Sequence, residues 1–480
     1  MEKHFSQTHS DYIAVIDVGS NAIRAAIYKG LNIDAIEVYS GKFQFDLKKL
    51  LDAEDLNADH DIYNIFEYFS FLIKTRGVDK IVCVATELLR NNPKAEEFID
   101  IVFIKTGLKI EIISGKEEGG FGALGVIFGT KEAEGLVVDL GGGSLEFATI
   151  SQNDVQDIVS LPLGIKSCDY EDNNFKEEDA LNIISSNMPQ KTFPNIYLIG
   201  GSLRILCKYY MQYIKYPLKN LHNFLIDADS LHVYLNKVQE NLFIDGYNNN
   251  KVNAHAIIVL KAIICQFKPR NFIVSNYGLK EGVYFSLLPQ TEQKKDVVYF
   301  RIKALADVNG NLDFLEEYGY LFKDIMPRYD SELSYIIDLS LMLLETLHNI
   351  DDCLRHEYLM NFISTTNIPL SHEHRIILMN IVSTLFDIPL NKNIYSLSRI
   401  MLERNRYQDI QIIAWILKVV VTLNGYSLIK PFFKFEIASN GYLKYVTDTK
   451  LPRMIAFKAI RCVKELGKLI KRAKNTYQLD

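Results

Sequence analysis

Two short stretches of this chain share one pattern: an apolar run, an acidic residue, a glycine turn and an alternating return. In the first, Ile13 to Ile16 lead through Asp17 and Val18 into Gly19-Ser20-Asn21, after which Ile23, Ala25 and Ile27 alternate with Arg24, Ala26 and Tyr28. In the second, Leu136 to Val138 lead through Asp139 and Leu140 into Gly141-Gly142-Gly143-Ser144, and Leu145, Phe147 and Thr149 then share one face with Glu146 on the other. Apolar runs of this length suit buried strands and the alternation suits a return strand, so both stretches predict β-hairpins. Further strand-like runs at Lys80–Ala85, Lys109–Ile113, Asn195–Ile199 and Asn271–Ser275 alternate with helical stretches such as Asp61–Thr75 and Lys94–Thr106. That rhythm belongs to α/β layers. The polar stretch Pro289–Asp296 reads as a linker. Beyond it Tyr335, Ile336, Leu339, Met342, Leu343 and Leu347 recur at helical spacing, with a short strand-rich patch expected near Ile429–Val446. The expected divisions are 1–130, 131–290 and 291–480.

Composition narrows the setting. With 480 residues, 48% hydrophobic and 23% charged, the chain is long enough for several domains. Its net charge of -6 means that a polyanion would have to be met by a local basic patch. Cys83, Cys168, Cys207, Cys265, Cys353 and Cys462 show no short paired spacing, which argues against a zinc site or a disulfide framework and for a reducing cytoplasm. The opening residues Met1–Gln7 lack a leader pattern, and no apolar run reaches the roughly 18 residues of a membrane span. A soluble, cytoplasmic protein is expected.

The glycine turns carry the candidate chemistry. Bare backbone at Gly19 and at Gly141-Gly142-Gly143 can approach a polyanion closely, so two hairpins facing one another would clamp phosphate and a metal ion. Asp139, Ser144 and Glu146 are expected to converge near one opening, where hard oxygen donors suit Mg2+. Each feature alone has a plainer alternative. The glycine triplet is equally a tight turn and Glu146 a solvated strand residue; Asp17 caps a turn equally well. Glu117 and Glu118 also suit the first turn of a helix, and Arg90 a helix end or a surface ion pair.

Seven motifs in order resemble those of the exopolyphosphatase and guanosine pentaphosphate phosphohydrolase (Ppx/GppA) family, within the actin-like, sugar-kinase and Hsp70 ATPase superfamily. They are Asp17–Asn21, Ala85–Arg90, Ser114–Glu118, Asp139–Glu146, Leu161–Gly164, Gly200–Arg204 and Tyr277–Gly282, so the resemblance covers Tyr12 to about Pro289. It implies two α/β actin-like (RNase H-like) domains followed by a mostly helical region. It also implies roles: Glu117 as general base, Asp139 and Glu146 positioning metal and water with Asp17 beside them, and Arg90 binding phosphate. Ser20, Asn21, Gly141, Gly142, Gly143 and Ser144 would form the phosphate loops, joined by Gly200, Gly201 and Ser202. These residue types suffice for phosphoryl transfer to water, which needs alignment and charge neutralisation rather than a covalent nucleophile. Lys116 and Gly119 depart from what many family members carry, and the run Gly119-Gly120-Phe121-Gly122 weakens the helix that carries Glu117.

Longer relatives carry an HD-related helical domain, and His348-Asn349 falls where a His-Asp pair would stand. The amide is a poor metal ligand, so with His356, His372 and His374 scattered nearby the region reads as catalytically silent. Its tail, Leu451–Asn475, holds eight Lys and Arg against the single acid Glu465. Lys464, Lys468, Lys471 and Arg472 lie near one helical face, either a solvated face or a rail for a long polyanion; nucleic acid is disfavoured. The expected activity is Mg-dependent release of orthophosphate from inorganic polyphosphate by a homodimer. Hydrolysis of guanosine pentaphosphate at the same site, or a sensor that binds without turnover, are the alternatives. A base aimed at water and the lack of a recognisable sugar site count against a kinase-like ATPase.

Overall fold

The computed structural model describes residues 12–57, 60–166, 175–244, 253–307, 312, 315–426, 429–439 and 442–477. Residues 1–11 and Cys168, on which the leader and part of the cysteine expectations fall, lie outside them. The described cysteines are all free thiols, and no helix among the described residues is long and apolar enough to cross a membrane.

Two sheets repeat one design. The first contains β1 (Tyr12–Val18), β2 (Ala22–Lys29), β3 (Ile36–Gln44), β4 (Lys80–Ala85) and β5 (Ile110–Ile112) in the order β3-β2-β1-β4-β5. The second contains β6 (Gly135–Leu140), β7 (Leu145–Ser151), β8 (Asp154–Leu161), β9 (Asn195–Ile199), β10 (Phe224–Asp227) and β11 (Asn271–Val274) in the order β10-β11-β9-β6-β7-β8. Each begins with an antiparallel three-strand meander and continues through parallel neighbours of its first strand, β1 with β4 and β6 with β9. This duplicated order is the arrangement that the actin-like resemblance implies. Ile16, Phe66 and Phe98 are at the centre of the first core, and Val137, Tyr197 and Ile199 of the second.

Glycine controls how the helix Gly115–Gly129 packs against the helix Leu279–Leu287. A Cβ on Gly282 would overlap the Phe121 carbonyl, and one on Gly125 would overlap the Gly278 carbonyl. The run expected to weaken the first helix therefore serves close backbone approach, and packing supplies the rigidity that propensity lacks. Gly282→Ala should cost about 1–3 kcal/mol or more through overpacking, seen as a lower urea midpoint with unchanged slope.

The chain forms two compact units: one of Met1–Lys215 with Leu221–Val297, the other of Tyr216–Asn220 with Val298–Asp480. The expected linker, Pro289–Asp296, falls just before the division at Val297, and part of it is ordered. Gln290–Gln293 is a short helix of the first unit, with Gln293 donating to the Leu288 carbonyl at 2.9 Å and Glu292 accepting from the Ile33 N–H at 3.1 Å. The second unit is helical apart from β12 (Lys434–Ile437) and β13 (Leu443–Val446). Its histidines have separate partners: His348 is 2.5 Å from Glu345, His356 lies against Phe386, and His372 bonds Tyr216 at 3.0 Å.

Candidate active site

The loops that follow the carboxyl ends of β1, β4, β6, β9 and β11 line one cleft of about 390 Å³ in the first unit. This is where open α/β sheets offer unpaired backbone and helix starts to a ligand. Gly19, Ser20 and Asn21 form one wall; Gly141, Gly142, Gly143 and Ser144 form the other, with Gly200, Gly201 and Ser202 at the start of the helix Gly201–Tyr213. The two loops are closely apposed. A Cβ on Gly142 would overlap Ser20 Oγ, and one on Gly143 would overlap Glu87. Behind them the Leu161–Gly164 motif has a supporting role: the Ile165 N–H donates to the Gly141 carbonyl at 3.1 Å and the Lys166 N–H to that of Gly142 at 2.6 Å.

Strand register sets the charged groups. Asp17 faces Arg24 across β1 and β2, and their side chains pair at 2.8 Å with Asp17 almost fully buried. Asp139 faces Glu146 across β6 and β7, which places both carboxylates on one face of the sheet. Asp139 lines the cleft, and burial above all raises its pKa to about 6. Glu146 is 1% exposed and accepts from Ser160 Oγ at 2.9 Å. Glu118 enters from the helix Gly115–Gly129, lines the cleft and is 8% exposed. The pKa values of Glu118 and Glu146 are both raised, first by burial and next by a neighbouring carboxylate: Glu146 acting on Glu118, and Asp139 on Glu146.

Two expected placements are corrected. Glu117 is exposed and does not line the cleft; its carboxylate accepts from the Ser114 N–H at 2.7 Å, closing a capping box that holds its pKa down. Arg90 does not line the cleft either. Its guanidinium donates to the Ile113 carbonyl and pairs with Glu118 at 3.4 Å, so it braces that carboxylate. Lys464 and Lys468, expected to bind substrate, line a separate groove in the second unit.

Sequence reading missed the cations that line the cleft: Arg24, Lys42, Arg204 and Lys280. Arg204 is aimed by bonds from Nε to the Ser275 carbonyl at 2.7 Å and from a terminal nitrogen to that of Tyr277 at 3.4 Å. The available signal was register, since a tight turn at Gly19–Asn21 sets Arg24 opposite Asp17. Asp17, Asp139 and Glu118 bring hard oxygen donors to one cleft, and their chemistry fits a divalent cation. Among the described residues no three His, Cys, Asp or Glu stand ready to hold a metal, so a cation would rest on one or two carboxylates and on the ligand's own oxygens.

Paired glycine loops and the cations Arg24, Lys42, Arg204 and Lys280 line one cleft at the ends of two α/β sheets. Comparison gives the protein a lineage. The chain belongs to the Ppx/GppA phosphatase family, whose pattern matches residues 52–291. It is similar to retrograde regulation protein 2 of Saccharomyces cerevisiae, 25% identical over 372 residues, 66% of this chain and 61% of that protein. Exopolyphosphatase 1 of Mycobacterium bovis is 27% identical over 164 residues, 32% of this chain and 46% of that protein. The chain thus spans less than two thirds of either relative's length. Among solved structures, that of the Aquifex aeolicus PPX-GPPA enzyme is 25% identical, with a TM-score of 0.49, and covers 57% of this chain and 98% of that one.

Proposed function

We propose that this protein hydrolyses the terminal phosphate of inorganic polyphosphate, releasing orthophosphate. The observation that carries the reading is the buried Glu118, which lines the same cleft as the two glycine loops, Arg24 and Arg204. The terminal phosphate would sit between Gly19–Asn21 and Gly141–Ser144, with backbone N–H groups and arginines taking up charge on its outer oxygens. Glu118 removes a proton from the attacking water. As the water oxygen bonds to phosphorus, the bridging P–O bond breaks and its electrons stay on the shortened chain. A pKa raised by burial gives Glu118 a basicity that an exposed carboxylate lacks. Arg90 holds the carboxylate in line. Mg2+ held by Asp139 or Asp17 would add charge neutralisation, with Glu146 orienting the surrounding groups.

The same site suits guanosine pentaphosphate, and a phosphate-release assay separates the substrates. Long polyphosphate, short polyphosphate, guanosine pentaphosphate and ATP are compared at equal phosphate concentration; turnover confined to the nucleotides would overturn the polyphosphate assignment. Similarity to a retrograde regulation protein favours a second reading, a sensor that binds without turnover. Tight binding of polyphosphate with no orthophosphate released would establish it.

A pH profile probes the base. Because Glu118 must lose its proton to act and its pKa is raised, kcat/KM should climb with pH through a midpoint above the ordinary carboxylate range. Glu146→Gln removes a like charge and should move that midpoint to lower pH. Stability should run the other way without a cation: a folded-state pKa above the unfolded value means that stability is lost as pH rises through it, for Asp139 between about 4 and about 6. Added Mg2+ should then raise the melting temperature more at pH 8 than at pH 5.

A further inference from the structure

The helix Arg453–Tyr477 has two occupied faces and one open one. Its face bearing Ala459, Val463, Leu466 and Ala473 is buried, packing on the helix Arg404–Asn424. Gly467 lets it approach the β12-β13 hairpin, since a Cβ there would already touch Leu443 at 3.4 Å. Between helix and hairpin runs a groove of about 1280 Å³. Its floor is apolar, with Val446, Val463 and Ile470, while Lys444, Lys464, Lys468, Lys471 and Lys474 stand along it with Asp324 as the one acid among the described lining residues; Lys444 pairs with Glu436 at 3.2 Å and Lys468 with Glu465 at 2.6 Å, which leaves the lysines in excess. Large apolar side chains continue the groove into solvent. Phe457 is 71% exposed, Ile460 58%, Tyr442 71% and Ile437 62%.

We infer that this groove is a docking site for an acidic amphipathic helix of a partner protein. Isolated exposed apolar residues are ordinary, but a contiguous patch with a basic border marks an interaction surface. Three features select the partner's chemistry. The lysines call for carboxylates, and they do so on a chain whose net charge is -6, so the complementarity is local. The apolar floor calls for aliphatic or aromatic anchors, which a bare polyphosphate chain does not have. The concave section between a helix and a hairpin accepts a rod with anchors at i, i+3, i+4 and i+7, whereas a lipid surface requires a convex or flat face.

The test uses the full chain and a fluorescein-labelled synthetic helix with Leu at i, i+3, i+4 and i+7 and Glu or Gln between. A scrambled peptide of identical composition, long-chain polyphosphate and phosphatidylserine vesicles serve as parallel probes. By anisotropy the patterned peptide should bind at least tenfold tighter than the scrambled one. The triple variant Lys464→Glu, Lys468→Glu, Lys471→Glu should lose binding tenfold or more, and Ile460→Asp should lose it while keeping all the lysines. Both substitution sets lie at exposed or groove-rim positions, and unchanged circular dichroism and melting would show that they fold. Equal binding of patterned and scrambled peptides overturns the proposal in favour of a polyanion rail, as does polyphosphate binding that Ile460→Asp leaves intact. Vesicle binding without peptide binding overturns it in favour of a membrane surface. Peptide silence with a dimer that Ile460→Asp dissociates overturns it in favour of a contact between two copies of this chain, and silence from every probe leaves a solvated face.

Discussion

Glu118→Gln should lower orthophosphate release by about 100-fold or more while the protein stays folded, because the amide cannot take the proton of the attacking water. Burial already favours the neutral acid at this position, so a neutral amide of the same shape introduces no new desolvation cost. Glu117→Gln is the matched control. It keeps an amide oxygen that can accept from the Ser114 N–H in the capping box and should leave both stability and turnover near native. Phosphate release and thermal melting measured side by side on both variants decide between the two neighbours. Loss of turnover in Glu117→Gln with activity kept in Glu118→Gln would return the role to the exposed residue.

Arg24→Ala should reduce kcat/KM by about 100-fold to 1000-fold, since it takes away a fixed positive group from the oxygens on which charge develops. Arg24→Lys should fall in between, keeping the charge and losing the planar fork. The alanine variant also leaves the buried Asp17 without its 2.8 Å partner, an additional cost of about 1–3 kcal/mol in stability. Kinetics are therefore to be read well below the melting temperature of the variant. A variant that melts early but turns over normally would make Arg24 a structural partner of Asp17 and nothing more.

The strands that frame the cleft were legible because local patterning acts over a few residues. Lys80–Ala85 and Asn195–Ile199 were read at the observed bounds, and the Asp17 and Asp139 turns were located from an apolar run meeting glycine. Spacing along the chain says less about side-chain direction. Glu117 and Glu118 are adjacent, yet the step of about 100° between neighbours on a helix separates a cap from a cleft, and the choice was made when Gly119 let Ile158 and Glu146 pack against the helix. Arg90, expected at the phosphate, braces Glu118 instead, drawn there by the return of the chain at Ile113, while Arg24, for which no role was expected, is set in the cleft by strand register. In the tail, the basic helix was plain in the sequence, whereas the groove beside it exists because β12 and β13 fold back onto that helix.

What the sequence determined by itself was the two glycine hairpins, the central strands beside them and the chemistry available at their ends, because hydrophobic period and glycine turns are short-range properties; β3, β8 and β10, at or near the sheet edges, were not read from it. Tertiary structure decided which carboxylate and which arginine face the cleft and where the lysines gather. Those choices depend on close packing between residues far apart in the chain, where a single glycine or one residue's step along a helix redirects a side chain from solvent into the site.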